Sequence, residues 1–78
     1  MSWNYRIFED GKGKYKYYSI REVYYGGHEV MGFSTNPEPP IGDTPKELIK
    51  VLKMMLRDAK KSRKNVLKTD MKCIGWED

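Results

Sequence analysis

Thr44-Pro45-Lys46-Glu47 is the feature that most restricts what this chain can fold into. The Thr44 hydroxyl can accept from the amide of Glu47, Glu47 can reach back over the entry, and Pro45 takes the first helical position, where no amide donor is missed. This capping box predicts a helix from Thr44 to about Ser62 or Asn65, the one long helical segment in 78 residues. Upstream, residues 3–9, about 14–25 and about 28–35 are rich in Tyr, Val, Ile and Phe and are bounded by glycine-containing turns, the pattern of three strands. Their short connections predict antiparallel hairpins. The expected fold class is therefore α+β, a three-stranded antiparallel sheet packed on one face by a single amphipathic helix in the order β-β-β-α, with a short C-terminal strand or tail. Residues 1–67 form the expected domain, and residues 68–78 an extension, flexible or docked.

Turn chemistry sets an expected register. A primed two-residue turn at Gly26-Gly27 pairs Val23 with Val30 and Glu22 with Met31. A four-residue loop at Asp10-Gly11-Lys12-Gly13 pairs Ile7 with Lys16, Tyr5 with Tyr18 and Trp3 with Ile20; a two-residue loop would change partners but not faces. One face then carries Trp3, Tyr5, Ile7, Tyr18, Ile20, Tyr24, Met31 and Phe33, and is expected to lie under the helix. The other carries Arg6, Phe8, Tyr15, Tyr17, Arg21, Val23, Tyr25, His28 and Val30, and is expected to stay open to water or to a partner. Asn36–Asp43 is proline-rich and reads as a crossover, since proline cannot continue a central strand.

The helical segment also concentrates charge. Lys46, Lys50, Lys53, Arg57, Lys60, Lys61 and Lys64 fall within roughly a third of the helix circumference. Leu48, Leu52, Met55 and Ala59 lie on the opposite side as the expected core stripe. The chain is +4 overall, yet residues 46–68 carry nine Lys/Arg against Glu47 and Asp58, while residues 1–45 and 69–78 are each slightly acidic. Cations this dense repel one another unless solvent or a counter-surface screens them. The same pattern is also that of an ordinary solvated helix face.

Other classes are disfavoured. Cys73 is the single cysteine, so no intrachain disulfide or cysteine-based zinc site is expected, which fits a reducing cytosol. Met1–Arg6 lacks the apolar core of a signal peptide, and no aliphatic run approaches the ~20 residues that span a bilayer. A cytoplasmic location without a membrane partner is the expectation. At this size a single core is marginal, which suits a homodimer or complex.

Trp3-Asn4-Tyr5-Arg6-Ile7, Glu22-Val23-Tyr24-Tyr25, Asn36-Pro37, Gly42-Asp43-Thr44-Pro45-Lys46-Glu47-Leu48 and Met55-Leu56-Arg57-Asp58-Ala59 together resemble a family of short bacterial and phage-borne proteins of unknown function. The likeness covers roughly residues 1–67; it implies a fold and an origin, and no activity. Gly42-Asp43-Thr44, entering a helix after a sheet, is also similar to the corresponding step in antitoxins of the HicB type, although capping chemistry alone can produce it.

The candidate site residues follow. The seven helix cations would neutralise phosphates or dock on an acidic protein surface. Arg6, Tyr15, Tyr17, Arg21 and Tyr25, with Phe8, would stack unpaired bases or form a protein or homodimer surface. Glu22 falls between Ile20 and Tyr24 on the expected core face, where a lone carboxylate is costly. It should meet a tyrosine hydroxyl or a lysine, or lie at the sheet margin, unless the register differs. His28 and Glu29 are too few for a conventional metal site. Gly11-Lys12-Gly13-Lys14 lacks the spacing of a phosphate loop. Met54, Met55 and Met71 suit core filling or an adaptable contact. We expect no catalysis, metal or cofactor. The leading expectation is a binding module for an acidic partner, nucleic acid or protein, engaged through the helix. The alternative is a protein-interaction regulator, such as a HicB-like antitoxin or a phage inhibitor of a host defence complex, acting through the tyrosine-rich sheet face.

Overall fold

The tyrosine- and valine-rich stretches form β1 (Ser2–Asp10), β2 (Tyr17–Gly26) and β3 (Glu29–Phe33), followed by helix α1 (Pro45–Ser62) and a short β4 (Leu67–Lys68) in a computed structural model that describes residues 2–70. The sheet order is β3-β2-β1-β4, with β1–β2 and β2–β3 antiparallel and β4 parallel to β1. The β-β-β-α architecture is thus the one expected. β4 spans positions 67 and 68. Met71 and the Cys73–Trp76 segment lie outside the described residues.

Both hairpin registers differ from expectation. Tyr5 pairs with Glu22, Ile7 with Ile20 and Trp3 with Tyr24. The shift arises because the β1–β2 connection is longer than four residues and contains a 3₁₀ turn at Gly13–Tyr15, with Gly11 and Gly13 at positive φ. Being an even shift, it preserves the faces of β1 and β2. In the second hairpin Gly26 pairs with Glu29, so the turn is Gly27-His28, with only Gly27 at positive φ, as a type II′ turn requires. A bulge then shifts the register between Tyr24 and Tyr25, where Gly32 and Val30 are the respective partners. The extra residue in β3, Met31, moves Phe33 to the face opposite the expected one, beside Val23.

That face is not open. Phe8 and Val23 are fully buried, the Phe33 ring centroid lies 5.2 Å from that of Phe8, and the Arg21 guanidinium sits 5.5 Å over the Phe8 ring. This face was expected to stay open to water or to a partner, and the difference lies in Arg21, which is not a surface cation. It is instead 5 % exposed and paired to Asp10, which lets charge and aromatic surface share one interior.

The capping box forms. Thr44 Oγ1 accepts from Glu47 N at 3.1 Å, and Glu47 Oε2 accepts from Asp43 N at 3.1 Å, one residue earlier than the usual return bond. Gly42 passes so close to the backbone of Leu48 that a Cβ there would collide with it.

The inward side of α1 is rotated from the expected stripe. Met55, Asp58 and Ser62 are buried, Leu48, Val51 and Ala59 are half-buried, and Leu52 is 45 % exposed. The cause lies in β1. Its outer amides at Tyr5 and Ile7 need acceptors, and Asp58 Oδ2 and Ser62 Oγ supply them at 3.1 and 3.4 Å. Side chains of α1 therefore cap the sheet edge that β4 leaves unpaired.

Candidate functional site

Lys46, Lys50, Lys53, Arg57, Lys60, Lys61 and Lys64 are all exposed. Six of the seven belong to α1, and Lys64 lies two residues beyond its end. Their rigidity as a row comes from below: Met55, Asp58 and Ser62 fix the rotation of α1 against β1, so the cations must point away. Of the seven, Arg57 has a carboxylate partner among the described residues, with Nε 3.3 Å from Asp58 Oδ1. Arg57 is 60 % exposed at its side chain, so this contact leaves it available. The remaining acids in ion pairs are committed elsewhere. Glu9 holds Lys16 and Lys68 at 3.6 and 3.4 Å, and Asp10 holds Arg21 at 3.0 Å.

Between this cationic row and the buried side of α1 runs a second, unexpected feature. Ile49, Leu52 and Leu56 are 53 %, 45 % and 57 % exposed, and their i, i+3, i+7 spacing places them on one line. The sequence signal was present in the apolar content of the segment. Helical periodicity alone puts Leu52 on the same stripe as Leu48, Met55 and Ala59, which hides this line.

The sheet candidates separate into two groups. Arg21 is an internal structural residue: one terminal nitrogen donates to Asp10 Oδ1 at 3.0 Å, and the other donates to the carbonyls of Thr35 at 2.5 Å and Ser34 at 3.3 Å. Asp10 also accepts from Ser19 Oγ at 2.5 Å. Arg6 donates to Tyr25 Oη at 3.0 Å and to the Asn65 carbonyl at 2.7 Å, while Tyr25 donates to Asn4 Oδ1 at 2.9 Å. These bonds tie β1 to β2 and to the segment that follows α1. Tyr15 and Tyr17 remain exposed, at 75 % and 56 %, near the first hairpin loop. The five residues therefore do not present one continuous stacking platform.

Glu22 meets a tyrosine hydroxyl, one of the arrangements expected for it. Tyr24 Oη donates to Glu22 Oε1 at 2.6 Å. The bond stabilises the protonated phenol, and with desolvation and the charges of Glu22 and Glu38 it pushes the Tyr24 pKa up to about 12. Burial, followed by the charges of Glu22, Glu38 and Asp58, also raises that of Tyr5. His28 lies in the type II′ turn, and no cluster among the described residues groups enough His, Cys, Asp or Glu to hold a metal. No helix of the described residues is long and apolar enough to cross a membrane.

No protein-family model, curated protein or solved structure matches this chain.

Proposed function

We propose that this protein is a small non-enzymatic binding module that engages an acidic partner through the cationic face of α1. The observation that carries the reading is the row of exposed Lys and Arg side chains, fixed on a helix whose rotation is set by buried contacts and almost without carboxylate partners among the described residues. Self-repulsion along such a row is relieved when a polyanion displaces the screening ions, so association should be strongly salt-dependent. The tyrosine-rich sheet face is less suited to a partner, because Arg21 and Tyr25 are already used inside the fold.

The test is fluorescence anisotropy of labelled single- and double-stranded DNA, RNA and polyglutamate with the full chain at low and near-physiological salt. The expected result is salt-sensitive binding to at least one of these polyanions, which the Lys53→Glu/Arg57→Glu variant loses. Absence of binding to all of them and to an acidic helical peptide at micromolar protein would overturn the reading.

A further inference from the structure

The cationic row does not stand alone, and what borders it narrows the kind of partner. Lys46, Lys53 and Lys60 recur at seven-residue intervals along α1. Beside them Ile49, Leu52 and Leu56 form the exposed apolar line. In heptad terms the three apolar residues occupy the seam positions and the three lysines one flank. On the other flank Leu48 is half-buried and Met55 is buried beside Ile7 and Ile20 of the sheet.

The apolar line continues into a groove. Met55 and Ala59 of α1, Ile7 and Ile20 of the sheet and Pro37 and Pro40 of the crossover line a depression of about 390 Å³ with largely apolar walls, and Glu38 is the one carboxylate among the described residues of that lining, where the partner's apolar stripe and not its carboxylates would have to lie. Ala59 lies three residues beyond Leu56 on the same side of the helix, so line and groove form one surface. A phosphate backbone can satisfy the lysines but has nothing to set against three exposed aliphatic side chains and an apolar groove. A second copy meets a different obstacle: running two such helices antiparallel sets one lysine row against the other.

Resting on the proposed acidic-partner reading, we propose that this surface docks an acidic amphipathic helix of another protein. The partner's apolar stripe covers Ile49, Leu52, Leu56 and the adjoining groove, and carboxylates along its flank face Lys46, Lys53 and Lys60. The leucines would supply the affinity and the lysines the orientation and on-rate.

The test uses a synthetic helical peptide of about 21 residues, with leucine at its seam positions and glutamate at its flanks, together with a version carrying lysine in place of the glutamates. The full chain is titrated against each at near-physiological salt. The acidic peptide should bind and the basic one should not. Leu52→Ser/Leu56→Ser should weaken binding by about tenfold or more, as expected when two leucines lose their burial. Lys53→Glu/Lys60→Glu should abolish binding of the acidic peptide and create binding of the basic one, a gain that misfolding cannot imitate. If the leucine variant binds the acidic peptide as tightly as the parent, or if only nucleic acid binds, the inference fails while the acidic-partner reading stands. If the parent self-associates in sedimentation and the leucine variant does not, the occupant is a second copy and the inference is overturned. If no polyanion and no peptide binds, both fail.

Discussion

Arg21 and the cations of α1 are the same kind of residue in opposite circumstances. Arg21 is buried against Phe8 and bonded to Asp10 and two carbonyls, whereas Lys50, Lys53 and Lys60 stand in solvent without an acidic partner among the described residues. The difference teaches that a cation taken into this fold is given a carboxylate and carbonyl acceptors, whereas the longest run of cations without them lies on one helix face. In the interior, Asp58 and Ser62 close the outer edge of β1 and Tyr24 satisfies Glu22. On the outside, the cations repel one another with little to offset them.

The comparison breaks most visibly at Arg21. Arg21→Ala leaves Asp10 buried without its cation and should cost about 3–5 kcal/mol, read from urea denaturation. For a chain this small that is a large share of total stability. A variant with unchanged stability would show that the Arg21–Asp10 pair is not part of the interior. Asp58 provides a smaller test. Asp58→Ala deprives the Tyr5 amide of its acceptor and should cost about 1–3 kcal/mol, while Asp58→Asn, which can keep an amide oxygen in place, should cost less. Equal losses in the two would mean that the edge bond contributes little.

Tyr24 gives the alkaline test. Its folded pKa, about 12, lies above the ordinary tyrosine value of 10.0. The protonated phenol is favoured in the fold, so its stabilising contribution is complete below pH 10 and is lost as pH rises toward 12. Tyr24→Phe should flatten the decline in stability across that window, measured by denaturant midpoints at successive pH values. An unchanged decline would remove the Tyr24–Glu22 bond as its cause.

What could be read in the sequence was local chemistry, and what escaped was pairing across distance. Thr44, Pro45 and Glu47 specify a helix start within four residues, and the structure bears it out. The strands were legible from their tyrosines and valines, but their register depends on a 3₁₀ turn and a bulge that glycine content alone does not locate. The single extra residue at Met31 moved Phe33 across the sheet and gave the Phe8 face its core. Asp10 shares sequence parity with Arg6 and Phe8 and lies on the same face as Arg21; that was the available signal for the buried pair. Asp58 resembled a surface acid on a basic helix, so its role as an acceptor for β1 was hidden until the helix lay along that edge. The cationic row could be traced on a helical projection, whereas the exposed Ile49–Leu52–Leu56 line appeared only once the helix rotation was fixed.

The central claim is that the cations of α1 serve binding and not folding. It is tested most directly by measuring stability and polyanion binding on the same Lys53→Glu/Arg57→Glu protein. The account predicts a stability within about 0.5 kcal/mol of the parent, as for surface changes generally, together with loss of salt-sensitive binding. A variant that binds as the parent does, or one that loses binding only because it no longer folds, would contradict it.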